Sequence, residues 1–296
     1  MRRYAPILPI LAVLAGVGML SLMDAFMKAG ALAVGAYSAA FLRVIFGTVI
    51  ALPLWFATRP RFPSREAMRW HLLRGGISAF MGLTFFFAIT RMPIAEAIAI
   101  SFIAPLIALY LAAVLLGETI RRTAIAGSVV GFAGALVIVG GQIGGGTMDE
   151  RYALGLAAIL LSTLLYAINF IVIREQSLSA GPMEIAVFHS GVQVAVLGIG
   201  APWLLVLPDT RIALDIAAAA ALTVVGAMLL AWAYARAQTQ VLVPLEYSGF
   251  AWAALFGWLF FRENLTPATL FGTALVVSGC LVAVRAGQRE GEAASA

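Results

Sequence analysis

Apolar runs long enough to cross a membrane recur along this chain. Ala97 to Gly117, Tyr152 to Ile173 and Leu265 to Val284 each pass without a single Asp, Glu, Lys or Arg. A spanning helix needs about 20 such residues. Backbone in lipid must satisfy its own polar groups, so only helices and closed barrels cross, and runs of this length select helices. Ten candidate spans follow, near 7–27, 36–57, 72–90, 94–116, 123–142, 152–173, 184–206, 213–235, 238–261 and 266–285. Hydrophobic residues make up 62% of the chain and charged residues 11%, against about 25% charge in a soluble domain. With a mean hydropathy of +1.00, there is too little polar surface to cover a soluble domain. The lipid bilayer is the expected environment, as a multi-pass protein of a bacterial-type inner membrane. Arg2-Arg3 ahead of the first run reads as the start of a retained helix. The stretch 288–296 reads as a disordered cytoplasmic tail.

The basic residues set the orientation. With the N-terminus inside and ten crossings, 13 of the 19 Lys and Arg fall on the cytoplasmic side. Lys28, Arg91, Arg151, Arg211 and Arg262 fall outside, and Arg43 lies within the second span. The net charge of +5 forms no continuous stripe, so nucleic acid is not an expected partner. A single cysteine, Cys280, excludes an intrachain disulfide or a cysteine metal cluster.

Sliding the chain on itself by 145 positions aligns Arg91 with Arg236, Glu118 with Glu263, Gly127 with Gly272, Gly134 with Gly279 and Asp24 with Asn169. The expectation is two five-helix repeats, 1–145 and 146–287. Five is odd, so the second repeat enters the membrane with opposite polarity. The fold class is therefore all-α, ten transmembrane helices as two inverted repeats, N-in and C-in. Inverted repeats create two related gates around a central site in many transporters.

Two stretches carry a family likeness. Arg91-Met-Pro-Ile-Ala-Glu-Ala-Ile-Ala-Ile-Ser-Phe-Ile-Ala-Pro105 runs on to Leu-Gly-Glu118, and Gln240-Val-Leu-Val-Pro-Leu-Glu-Tyr-Ser-Gly-Phe250 runs on to Phe-Arg-Glu263. They resemble the two halves of EamA-type proteins of the drug/metabolite transporter superfamily. Tyr166-Ala-Ile-Asn169, ahead of Arg174, is similar to that family's aromatic–Asn–basic pattern in the sixth helix, with Ser21, Asp24 and Lys28 as its counterpart in the first. The resemblance implies ten helices and transport of small metabolites, commonly outward; YddG-type aromatic amino-acid exporters are the nearest guide. Arg262 stands where the family has glycine, and Phe250 sits at the repeat position of Pro105.

Ionisable groups inside a span need a partner or a task. Arg43 either binds a substrate carboxylate or pairs with Asp24, and the structural pair Asp24–Arg43 is the reading taken. Glu246 lies roughly 12 Å into the ninth span at 1.5 Å per residue, just after Pro244. A carboxyl there can meet a substrate ammonium and exchange a proton with it, so Glu246 reads as both substrate-binding and coupling. Tyr166 and Asn169, three apart, share a helix face. Ser101, Phe85, Trp232, Tyr247 and Phe250 complete the expected lining, which suits an amphipathic or aromatic solute. His189 and Gln193 share a face and read as an interhelical hydrogen bond. Gly127, Gly131, Gly272 and Gly279 read as close-packing faces within a monomer.

No cofactor or metal is expected, because clustered His, Cys and carboxylates are absent from the sequence. No Gly-x-x-x-x-Gly-Lys loop exists, and neither His71 nor His189 belongs to a nucleophile motif. An enzyme is not expected. The leading function is secondary, alternating-access export of amino acids or similar small molecules. Alternatives are an importer or exchanger of a vitamin or nucleotide precursor, a drug efflux carrier, and a non-transporting membrane scaffold.

Overall fold

A computed structural model describes residues 7–57, 62–116, 122–144, 149–237, 242 and 245–294, and among these the chain is helical with no strand. In order the helices are α1 (Ile7–Ala57), α2 (Arg65–Ile89), α3 (Ile94–Ser101), α4 (Ala104–Leu116), α5 (Arg122–Gly144), α6 (Glu150–Ser179), α7 (Pro182–Gly198), α8 (Ala201–Leu204), α9 (Thr210–Tyr234), α10 (Gly249–Phe261) and α11 (Pro267–Ala294). Six stretches are long and apolar enough to cross a membrane: Ile7–Ala57, Arg65–Ile89, Ile94–Leu111, Ile125–Gln142, Glu150–Ile173 and Thr210–Tyr234. Shorter apolar helices cover Glu184–Gly198, Gly249–Phe261 and Pro267–Val282. Large apolar side chains stand outward, among them Leu136, Leu214 and Phe271, where a bilayer would cover them. The chain is a polytopic α-helical membrane protein.

Helix α1 is two arms joined at Gly35, whose φ of 84° and ψ of 151° break the helical path. Only glycine takes this backbone region without strain. Each arm is longer than about 20 residues and so reaches across a bilayer core of ~30 Å. Side-chain caps begin three further helices. Ser64 accepts from Ala67 N–H at 3.1 Å, Asp149 from Tyr152 N–H at 2.7 Å and Asp209 from Ile212 N–H at 2.8 Å. Each oxygen satisfies one of the amides that a helix start leaves unpaired.

The bundle is built on close pairs. The first arm of α1 lies along α9, α2 lies along α6, and α5 lies along α11, while α7 contacts both α1 and α2 and α3 meets α10. Glycines set the closest approaches. A Cβ on Gly134 would sit 2.5 Å from the Gly272 carbonyl oxygen, and one on Gly272 would sit as near the Gly134 oxygen. A Cβ on Gly279 would collide with the Gly127 carbonyl, and one on Gly16 would come within 3.1 Å of Gly226. These contacts lie inside one chain, as the close-packing reading expects. Without a strong hydrophobic drive between helices in lipid, packing at such small-residue faces supplies much of the association energy.

Several spans differ from expectation. The third was expected to begin near 72, but α2 starts at Arg65 because the Ser64 cap carries the helix about two turns beyond the apolar run. The fourth is interrupted at 102–103. The seventh ends at Gly198 instead of near 206, and Ala201–Leu204, with Pro202 in its first turn, forms a separate short helix after Gly198 and Gly200. Helix α11 continues to Ala294, across the segment read as a disordered tail. That segment is rich in Ala, Glu, Gln and Arg, which favour helix. Glu118, Gln240 and Pro244 lie outside the described residues.

Candidate substrate cavity and its polar networks

Two helix breaks fall at the centre of the bundle. The helical path is interrupted at Phe102-Ile103, between α3 and α4, and again at Tyr247-Ser248, just before α10. At the first, the amide of Leu106 bonds Ile103 rather than Phe102, at 2.9 Å. The Phe102 carbonyl instead accepts from the Cys280 thiol at 3.1 Å. Discontinuous helices at membrane depth expose backbone polar groups that transporters use around a binding site. Ser101 and Glu246 immediately precede the two breaks.

The sequence-predicted lining residues separate into two sets. Tyr166 is 41% exposed and stacks on Phe170 with centroids 4.7 Å apart. It lies within electrostatic reach of both Glu246 and Arg74. Glu246 is exposed, not sealed in apolar surroundings, and accepts a hydrogen bond from the Tyr234 hydroxyl. Trp232 is half-exposed beneath the Arg236 guanidinium, 4.4 Å from the ring centroid. Asn169 is buried and accepts from Arg74 Nε at 2.9 Å. Tyr247 meets Phe102 edge to face. Ser101 donates back to the Ala97 carbonyl at 2.9 Å. Phe85 and Phe250 instead join apolar packing, Phe85 against Phe86 and Phe250 beside Ala25, Ile94 and Ala253.

A relay of polar side chains links α2, α6 and α7. Arg74 Nη1 donates to Gln176 Oε1 at 2.7 Å, Gln176 Nε2 lies 2.7 Å from His71 Nδ1, and His71 Nε2 lies 3.1 Å from Glu184 Oε1. Arg74 can only donate, so it fixes the Gln176 oxygen toward itself and the amide nitrogen toward His71. His71 Nδ1 must then accept, which leaves its Nε2 proton for Glu184. His71 and Gln176 are fully buried. Neither Arg74 nor Gln176 nor Glu184 is among the lining residues expected from sequence. The signal was present: His71 and Arg74 are three apart on one face, as are Asn169 and Gln176 seven apart.

A second set of polar contacts gathers around Lys28, Glu263 and Glu96. Lys28 pairs with Glu263 and donates to the Met92 carbonyl at 2.9 Å. The other oxygen of Glu263 accepts from Ile94 N–H at 2.9 Å and caps α3. Glu96, fully buried, accepts from Gln142 at 2.6 Å, Thr269 at 2.8 Å and Tyr152 at 3.0 Å. It thereby pins α3 to α5, α6 and α11 through three neutral donors. Glu96 was quoted within a motif but not singled out, since its three partners are scattered along the sequence.

Arg43 and Asp24 interact electrostatically but do not approach within ion-pair distance among the described residues. The Arg43 guanidinium lies over the Phe86 ring, 5.3 Å from its centroid. It also borders a cavity of about 410 Å³ shared by the second arm of α1, α7 and α9. His189 and Gln193 line that cavity and contact each other at 3.3 Å. Among the described residues no three His, Cys, Asp or Glu side chains cluster as a metal ion requires.

Known proteins share this architecture. A solved crystal structure superposes with a TM-score of 0.61 over 94% of this chain and 98% of its own, at 21% identity. The pseudopaline exporter CntI of Pseudomonas aeruginosa is 27% identical over 90% of this chain and 92% of its own. An S-adenosylmethionine uptake transporter of Rickettsia bellii is 26% identical over 83% of this chain and 82% of its own. The aromatic amino acid exporter YddG of Ancylobacter novellus is 26% identical over 47% of this chain and 52% of its own. The profile of the EamA-like transporter family matches twice, over residues 7–140 and 153–285. With a bundle of membrane-length helices broken at its centre, and that profile filling nearly its whole length, this chain belongs to the EamA-like transporter family.

Proposed function

We propose that the protein is a ten-helix secondary transporter that exports amino acids or similar small metabolites by alternating access across a bacterial inner membrane. Its halves are the inverted repeats 1–145 and 146–287. The observation that carries this reading is an asymmetry along the bundle. Glu246, Tyr166 and Trp232 are accessible on the side that the basic residues assign to the cytoplasm. The outward side is tied by Lys28–Glu263 and Glu96. That is the arrangement of a carrier waiting to load from inside. The crossed contacts Gly134–Gly272 and Gly127–Gly279 support the two-fold relation, because they exchange under the 145-residue offset. Isologous contacts of this kind are what a two-fold axis produces.

Glu246 and the nearby aromatics suit a solute with an ammonium group and an apolar body, such as an aromatic amino acid. The exporters among the relatives favour outward movement, and the S-adenosylmethionine uptake relative supports an importer as second reading. Counterflow of labelled amino acids in proteoliposomes tests the function. Substrate-dependent flux is the expected result, and no flux across a broad panel would favour a non-transporting scaffold. Tags at 63, 178 and 290 should report the cytoplasm, and tags at 146 and 209 the outside.

A further inference from the structure

We infer that the cavity between the second arm of α1, α7 and α9 is a carboxylate-binding subsite with Arg43 as its anchor; this deepens the transporter reading by naming the anionic end of the solute. Arg43 lies eight residues beyond Gly35, roughly 12 Å down its arm at 1.5 Å per residue. Its Nε is buried and has no hydrogen-bond partner. His189 Nε2 is in the same condition. The Gln193 amide nitrogen faces His189 Nδ1 at 3.3 Å. An amide nitrogen only donates, so Nδ1 accepts and the imidazole proton sits on Nε2. Arg43 and His189 both line the cavity, and each keeps a buried N–H donor with no acceptor, which folded proteins rarely leave unmatched.

The rest of the wall defines the ligand. Ser190 and Thr223 add hydroxyls, and Val44, Ala220, Val224 and Met228 supply an apolar surface. Among the described residues no carboxylate lines the cavity. A volume of about 410 Å³ lies within the range of roughly 300–1,000 Å³ usual for small-molecule sites. A few donors set among apolar walls fit an amphipathic monocarboxylate. A guanidinium meets such a group with two parallel hydrogen bonds. Asp24 completes the design. It sits within electrostatic reach of Arg43 yet does not bond it, so it stabilises the buried cation without occupying it. An arriving carboxylate then competes with Asp24 for the same charge.

That competition makes the test sharp. Thermal unfolding of the detergent-purified protein is followed with 3-phenylpropionate, 3-phenylpropionamide and L-phenylalanine, each to millimolar concentration. The two carboxylates should raise the midpoint and the amide should not. Asp24→Asn should lower the half-saturating concentration of 3-phenylpropionate several-fold, a gain that a purely structural ion pair would not give. Arg43→Gln should abolish the response, and Asp24→Asn/Arg43→Gln should do the same in a background free of an unpaired buried charge. Equal stabilisation by acid and amide, a response that survives loss of Arg43, weaker binding in Asp24→Asn, or no response to either carboxylate would each overturn the inference. Phenylalanine flux with equal binding of acid and amide would sink this subsite alone. Binding of 3-phenylpropionate through Arg43 without amino-acid flux would sink only the amino-acid reading.

Discussion

The rings of Phe102 and Tyr247 meet edge to face, with centroids 5.0 Å apart and planes at 87°, and the two residues stand 145 positions apart in the chain. Each sits at the point where its helix breaks. A residue that touches its own repeat equivalent lies on the axis relating the two copies, so this pair marks the centre of the proposed two-fold. The helix breaks, the paired rings and the residues just before them, Ser101 and Glu246, therefore fall together at mid-bundle. A substrate path through the centre would pass this point.

The α5–α11 seam makes the first prediction. A Cβ on Gly134 would lie 2.7 Å from the Val276 amide nitrogen and 2.5 Å from the Gly272 oxygen. Both are backbone atoms that cannot rotate away. Gly134→Ala should cost about 1–3 kcal/mol through overpacking, seen as a lower unfolding midpoint in detergent. Gly140, on the same helix, has open space around it. Gly140→Ala should be neutral or slightly stabilising, as expected for glycine in a helix interior. Equal effects at both positions would remove the close-packing argument.

Arg262 makes the second. It ends α10 with a φ of 56°, the left-handed region, and is the one non-glycine residue there among the described residues. The position 145 residues earlier, Gly117, is glycine, the residue that this backbone region favours. Arg262→Gly should relieve strain of about 1–2 kcal/mol and raise the midpoint. It forfeits the cation–π contact with Trp258, 5.7 Å from the ring centroid, worth about 0.5–1 kcal/mol at an exposed site. The expected balance is a small gain. A clear loss would show that the Trp258 contact outweighs the strain.

How much of this was legible in the sequence depends on the range of each interaction. The membrane class and the spans near 36–57, 123–142 and 152–173 follow from local composition. The departure at Arg262 was visible in the sequence, but its left-handed backbone was not. The 145-residue offset matched Gly127 with Gly272 and Gly134 with Gly279 as equivalent positions, while the crossed contacts Gly127–Gly279 and Gly134–Gly272 needed the structure. The partners of Glu96 were not, because Gln142, Tyr152 and Thr269 come from three helices and none carries a charge. Nor was the 102–103 break, which sits inside an unbroken apolar run with Pro105 its only local cue. The Arg43–Asp24 pairing was a fair inference from cost alone, yet side-chain geometry decides whether opposite charges touch or only attract.

The third prediction concerns Lys28 and Glu263, whose side chains are 8% and 13% exposed. Removing one member of a buried pair leaves the other charge uncompensated, at a cost of about 3–5 kcal/mol. Glu263→Gln should therefore lower the midpoint more than Lys28→Met/Glu263→Gln does, since the double change removes both charges. The single change also weakens the Ile94 cap. It should increase labelling, by a membrane-impermeant thiol reagent, of a cysteine placed at Met92 on the outward side. Unchanged labelling would mean that the pair stabilises the bundle without holding that end closed.

Glu246 carries the last. Its carboxylate accepts from Tyr234, it lies in electrostatic reach of Tyr166, and it precedes the second helix break by one residue. In the proposed cycle this carboxylate meets the substrate ammonium and exchanges a proton with it. Glutamine keeps the size and the hydrogen bond but can neither carry the charge nor exchange a proton. Glu246→Gln should fold and reach the membrane at wild-type levels, while transport falls at least tenfold or loses its dependence on external and internal pH. Tyr234→Phe removes only the neutral donor. It should shift the pH profile and leave transport measurable. Counterflow at a series of pH values separates the outcomes. If Glu246→Gln keeps both the rate and the pH profile of the wild type, the carboxylate neither couples protons nor meets the substrate, and its bond to Tyr234 serves only to hold α9 against the segment ahead of α10.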